Sequence, residues 1–308
     1  LRMGTTGLVA QAVGSEDETE VRSYLLRALI LGFSAGVFIL LMSTPLIAFG
    51  LWLSPASSEV EELAQKYISV RVWSAPAAIS LYGIVGWLIA LERTKSVLFL
   101  QFFMNGVNVL LDIWFVLGLG WGIEGVAIAT AIAEVSALIL GLLLCYDRFK
   151  DKSWPRIQTI FSTARLKNML SVNLDILFRS IILQIIFVSF LLYGGKFGDI
   201  KLAANQVLLQ FLHIAAHGLD GFALAAETLV GQAFGKKDRA SLRKSVSVSS
   251  KLAFLLSCIM AISFSLLGPF VIDLMTTAED VRLEAKSYII FIVLVPILGV
   301  FPYMLDGI

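Results

Sequence analysis

Long apolar runs, broken at short intervals by charged or glycine-rich stretches, organise this chain from end to end. A helix that crosses the roughly 30 Å hydrocarbon core of a bilayer needs about 20 predominantly apolar residues. On that measure the pattern predicts a partial helix over 1–13. It predicts further helices near 22–53, 64–91, 96–118, 122–146, 168–194, 201–234, 240–275 and 285–308. That makes about nine hydrophobic segments, all helical, with no strand-like alternation between them. The longest runs are expected to tilt or to extend past the bilayer. Pro45, Pro76, Pro269 and Pro296 lie inside such runs and are expected to kink a helix rather than end it.

Charge placement supports the same segmentation. The loops at 15–23, 92–96, 147–168 and 235–244 carry 14 Lys and Arg, and the alternate loops at 54–66, 118–121, 195–201 and 276–286 carry 5. The positive-inside rule assigns the first set to the cytoplasm or its equivalent. Composition closes off the soluble classes: 58% of residues are hydrophobic and only 15% charged, with a mean hydropathy of +0.86. So few charges could not cover a water-exposed globule. The chain reads as an integral, multi-pass membrane protein in contact with the lipid bilayer, in a bacterial inner membrane or a plastid membrane. A net charge of +1 supplies no field to neutralise nucleic-acid phosphates, so no nucleic acid is expected as a partner. Cys145 and Cys258, both in apolar runs, read as unbridged thiols.

An internal repeat organises the segments. Leu8-Val9-Ala10-Gln11-Ala12-Val13-Gly14 returns as Leu229-Val230-Gly231-Gln232-Ala233-Phe234-Gly235, an offset of 221. The same offset maps Arg22 onto Arg243, Tyr67 onto Tyr288 and Gly86 onto Gly307. An even number of spans separates the copies, so both halves point the same way. Parallel halves are a transporter design. The expected organisation is a first lobe over 1–147, a basic linker over 148–167 and a second lobe over 168–308. Applied to itself, the repeat also predicts a parent of twelve helices, six per lobe. One helix would precede residue 1 and two would follow residue 308.

Polar residues inside the spans are the candidate chemistry, because a charge in hydrocarbon costs about 3 kcal/mol or more. Asn105, Asn108 and Asp112 share one helical stripe at i, i+3 and i+7. Thr130, on the next and returning helix, falls near the depth of Asp112. A carboxylate, an amide oxygen and a hydroxyl at one level suit a proton or a hard cation such as Na+. The plainer reading is interhelical hydrogen bonding that joins the helices. In the second half the intramembrane acids are Asp175, Asp220, Glu227 and Asp306. Asp175 and Arg179 are spaced for a helix-surface ion pair, and Glu227 lies close to a basic loop where water could solvate it. His213 and His217 have the i, i+4 spacing of a metal pair, but Ile214 stands where the general base of a zinc hydrolase belongs. No metal site and no cofactor are expected. With no Walker A sequence present an ATP motor is not expected, and a serine hydrolase is not expected either.

The stretch Leu1–Gly14 resembles the second-helix signature of the multidrug and toxic compound extrusion (MATE) family. Asn105–Leu117, Ala127-Ile128-Ala129-Thr130, Gly218–Ala223 and Leu305-Asp306-Gly307-Ile308 resemble its DinF branch. The resemblance implies an all-α transporter of two six-helix lobes, not an enzyme. Such a protein exports small organic, often cationic, compounds in exchange for H+ or Na+ by alternating access. It is expected to act as a monomer. The family's first-lobe site uses an Asp on the first helix, an Asn and an Asp on the fifth and a Thr on the sixth. Asn108, Asp112 and Thr130 match the last three, and the first would precede residue 1. Asp175 and Asp306 match acids of the second lobe that couple ions in some branches. Two rivals stand beside this reading. A lipid-linked oligosaccharide flippase of the same superfamily would want a cationic cavity, and only Arg27, Arg71 and Arg179 lie near the spans. An intramembrane acid-pair enzyme would need a second first-half carboxylate facing Asp112, and none is expected.

Overall fold

A computed structural model describes residues 1–53, 57–150 and 154–308, and every regular element among them is helical. Lys152, one of the loop cations counted above, lies outside the described residues. Eight helical stretches among the described residues are long and apolar enough to span a bilayer, and a thirteen-residue helix, α1 (Arg2–Gly14), precedes them. The chain continues through α2 (Glu18–Leu41), α3 (Ser43–Leu53), α4 (Ser58–Arg71), α5 (Ala75–Ala90), α6 (Thr94–Asp112) and α7 (Gly122–Tyr146). After a short α8 (Ile157–Ile160) come α9 (Thr163–Gly194), α10 (Asp199–Gly235), α11 (Arg239–Met275), α12 (Glu279–Ser287) and α13 (Ile289–Gly307).

The prolines do not all act as the sequence pattern suggests. Pro269, Pro296 and Pro302 stay inside continuous helices. Upstream of Pro45, however, the helix is interrupted at Met42, and before Pro76 it tightens into a 3-10 turn over Val72–Ser74. Proline offers no N–H to the carbonyl four residues back. That carbonyl is Leu41 for Pro45 and Val72 for Pro76; the first break follows Leu41 directly and the second begins at Val72. Pro76 then sits in the first turn of α5, where a missing N–H is harmless. The run expected over 285–308 begins instead as two pieces, with Tyr288 separating the polar α12 from the apolar α13.

The repeat is visible atom by atom. After α1 the chain reverses through Glu16 at φ 58°, and Asp17 N–H donates to Ala12 O at 3.0 Å. After α10 it reverses through Lys237 at φ 56°, and Asp238 N–H donates to Ala233 O at 3.2 Å. These are the same helix-ending turn, displaced by 221 residues. Each is followed by an aspartate N-cap: Asp17 accepts from Glu20 N at 2.9 Å, and Asp238 accepts from Ala240 N at 2.9 Å. The close helix contacts repeat too. A Cβ added to Gly86 would lie 2.4 Å from Arg2 O, and one added to Gly307 would lie 2.3 Å from Ala223 O.

The chain divides into two compact units, residues 1–170 and 171–308, with the division inside α9. In the first, α2 and α5 approach so closely that Gly32 and Gly36 face the backbone of Ser80 and Pro76. Such small-residue spacing is a usual device for bringing spanning helices together. Trp87 is fully buried in this core, and its indole N–H donates to Val21 O at 2.8 Å. The segment expected as a linker packs here. Fully buried Arg27 donates to the carbonyls of Ile160 at 2.9 Å and Thr159 at 2.6 Å, closing the C-terminal end of α8. Buried Glu20 pairs with Arg27 at 2.5 Å and with Arg165. In the second unit, α10 buries Ala204, Leu208, Phe211, Ala215, Leu219, Ala223 and Ala226, one stripe at three- and four-residue steps. Its neighbour α11 buries Ser249, Ala253, Ser257 and Ala261, small side chains that admit a close partner.

Candidate functional site

In the first unit α6 and α7 form the candidate site. The stripe on α6 ends at Asp112, and the helix then widens into a π-helical turn over Ile113–Gly118. Insertions of this kind recur at functional sites, because they re-aim neighbouring side chains. Phe115 and Trp121 stack at 4.9 Å across the turn, and Gly125 of α7 leaves room for both. This packing registers α7 against α6. Asn108 Nδ2 then donates to Thr130 Oγ1 at 3.1 Å, and the hydroxyl donates to Val126 O at 2.8 Å. Asn108, Asp112 and Thr130 are half-buried, while Asn105, one turn earlier, is exposed. Asp112 Oδ1 is buried with no hydrogen-bond donor among the described residues. A carboxylate oxygen withdrawn from water in this way is stable only when a proton, a cation or an arriving donor meets it.

A second polar group in the same unit escaped the sequence pattern. Glu134 lies one turn beyond Thr130 on the same face of α7. It takes both arms of the Arg71 guanidinium, at 2.6 and 2.8 Å. Arg71 also donates to Ser74 Oγ at 2.7 Å. Glu134 is a second intramembrane carboxylate of this unit, one turn along α7 from Thr130, and its oxygens are committed to arginine. A scan of α7 for acids, matched against the known Arg71, would have found it.

In the second unit the expected residues are dispersed. Asp306 pairs with Arg179, so the partner expected for Arg179 within its own helix is not the one that defines its ion pair. Asp175 is exposed, while Asp220 and Glu227 are half-buried on α10. Asp220 lies within electrostatic reach of Tyr303. Glu227 occupies, by the repeat, the position held in the first unit by Thr6, whose hydroxyl donates to Gly86 O at 3.2 Å. An apolar groove of about 390 Å³ in the same unit is lined by Leu212, Leu219, Phe291, Leu298 and Tyr303. His213 and His217 are exposed; His213 stacks on Phe187, and His217 Nδ1 lies 2.6 Å from His213 O. No cluster of three metal-ligating side chains occurs among the described residues. Cys145 and Cys258 are both free thiols.

Two enzyme-like strings also occur, and their setting disqualifies both. Gly32-Phe33-Ser34-Ala35-Gly36 spells G-x-S-x-G but lies mid-helix in α2, not on the strand-to-helix elbow that exposes a nucleophile. Gly120–Gly125 spells G-x-G-x-x-G at the start of α7, with no strand before it.

Two helical units built on one repeat, with half-buried acids in long apolar spans, have the architecture of a membrane transporter. The family model described as MatE matches residues 1–114 and 176–308, and the chain belongs to this multidrug and toxic compound extrusion family. It is 33% identical over its full length to DNA damage-inducible protein F of Escherichia coli K12, of which it spans 67%. It is 28% identical over 70% of its length to Protein DETOXIFICATION 43 of Arabidopsis thaliana, spanning 39% of that protein. A probable multidrug resistance protein NorM of Bacillus anthracis is 23% identical over 95% of this chain and 66% of that protein. Among solved structures, an outward-facing MATE family transporter of the MOP superfamily aligns with a TM-score of 0.84 at 22% identity. That alignment covers 99% of this chain and 70% of the other. The eukaryotic MATE transporter AtDTX14 aligns with a TM-score of 0.87 at 17% identity, over 99% of this chain and 68% of the other. The chain is therefore a multi-pass membrane protein of the MATE fold.

Proposed function

We propose that the full-length protein is a secondary active antiporter that exports small organic compounds in exchange for H+ or Na+ by alternating access. The names of its relatives, multidrug resistance proteins among them, support the substrate class. The observation that carries the coupling role is Asp112, whose buried Oδ1 has no donor among the described residues and sits one turn from the Asn108–Thr130 hydrogen bond. Occupied by a proton or Na+, this carboxylate is neutral; vacated, it carries a charge. Coupling follows if ion and substrate prefer different conformations of the lobe. The three arginines that a flippase cavity would draw on each face a carboxylate: Arg27 faces Glu20, Arg71 faces Glu134 and Arg179 faces Asp306. That pairing favours the antiporter reading over a flippase. The acids of the second unit, Asp175, Asp220, Glu227 and Asp306, are secondary candidates for ion coupling. In the full-length protein, Asp112→Asn is expected to abolish ion-driven efflux while leaving membrane insertion intact. Wild-type transport by that variant would refute the assignment.

A further inference from the structure

The Arg71–Glu134 pair is not used by the ion site, and its position calls for a reason. Glu134 lies about 18 Å along α7 from Gly122, near the middle of a 25-residue apolar span, and the ion pair holds Arg71 at that level. An ion pair in such surroundings is a poor way to gain stability. Apolar residues of the same volume often hold a fold as well or better, since neither charge then has to leave water. The pair is also not sealed. The Arg71 side chain is 27% exposed and that of Glu134 14%. The guanidinium, moreover, has a second partner besides Glu134. Arg71 ends α4 where the 3-10 turn begins, and Ser74 of that turn accepts from its guanidinium at 2.7 Å while donating to its carbonyl at 2.9 Å. If Glu134 withdrew, the tie to Ser74 would remain.

We propose that Arg71 is an oxyanion-binding residue of the first unit and that Glu134 holds the place of a carboxylate on an amphipathic organic ligand. A guanidinium binds one carboxylate through two parallel hydrogen bonds, and a ligand carboxylate would take the geometry that Glu134 now occupies. Thr130 and Asn108, one turn away on the same track, lead from this group to Asp112. Arg71 of α4 and Asp112 of α6, both helices packed against α7, thus offer a ligand a positive and a negative anchor. The inference deepens the export reading, on which it rests for calling the ligand a substrate. Binding measured without any gradient is scored separately from transport, so the two can fail independently.

The test uses the purified full-length protein in lipid nanodiscs and a matched probe pair, 1-pyrenebutyrate and 1-pyrenebutylamine, read by fluorescence anisotropy against protein-free discs. Glu134→Gln removes the competing carboxylate and should tighten pyrenebutyrate about tenfold, the scale of one hydrogen bond to a charged group. The amine should not tighten. The apolar double variant R71M/E134L, which leaves no charge unpaired, should bind pyrenebutyrate more weakly than wild type. Should Glu134→Gln not fold, the double variant alone decides the matter. Equal pyrenebutyrate affinity in wild type and R71M/E134L, or tightening of both probes by Glu134→Gln, would overturn the proposal and leave the pair a structural tie.

Discussion

The repeat makes a quantitative prediction at two glycines. A methyl group added at Gly86 would lie 2.4 Å from the carbonyl oxygen of Arg2, and one at Gly307 would lie 2.3 Å from that of Ala223. An ordinary carbon–oxygen contact is about 3.4 Å, so each alanine must push two helix backbones apart by about 1 Å. Backbone cannot swing aside as a flexible side chain can. Overpacking of this kind typically costs about 1–3 kcal/mol. Alanine would return about 0.5–1 kcal/mol through its better helix propensity, which leaves a net loss near 1–2 kcal/mol at each site. Gly106 of α6 is the control, because a Cβ there meets nothing within 4 Å. Gly106→Ala should therefore be neutral or slightly stabilising. Thermal unfolding of the full-length protein in one detergent would rank the variants, with Gly86→Ala and Gly307→Ala both below wild type. If either alanine were as stable as Gly106→Ala, the close crossings, and with them the atom-level repeat, would be wrong.

Other expectations follow from single features. Replacing Glu16 or Lys237 by glycine should stabilise the protein by about 0.5–1 kcal/mol, because both adopt the left-handed conformation that penalises a Cβ; chemical denaturation would show it. Arg27→Met should destabilise by about 3–5 kcal/mol, since buried Glu20 and the carbonyls of Thr159 and Ile160 lose a donor together; limited proteolysis near 157–165 should accelerate. Trp87→Phe removes the indole bond to Val21 O and leaves a void in a fully buried site, a loss of about 1–3 kcal/mol readable by thermal melting.

Much of this architecture was legible in the order of residues. Apolar run length marks spanning helices without any propensity argument, because lipid forces every backbone group to bond within its own segment. The offset of 221 found Gly86 with Gly307, yet only the structure shows why both are glycine: each meets a carbonyl of the partner helix. Proline position was harder to read. Pro45 and Pro76 coincide with breaks whereas Pro269 does not. The same missing N–H is present in all three, so neighbouring packing decides the outcome. At the candidate site, spacing alone put Asn108 and Asp112 on one stripe, and a depth estimate brought Thr130 to them. The π-helical turn after Asp112 left no mark in the apolar pattern, because it changes winding without changing composition. Glu134 leaves no periodic signal because a lone acid in an alanine-rich helix has no partner on its own helix; its counter-charge, Arg71, is 63 positions away in sequence.

The most direct test of the account loads a fluorescent organic cation into vesicles carrying the full-length protein and imposes an H+ gradient and an Na+ gradient in separate runs. One of the two gradients should drive dye movement in wild type, and Asp112→Asn should stop it under both. Movement that proceeds at the wild-type rate without Asp112, or that ignores both gradients, would contradict an ion-coupled carboxylate at the end of α6.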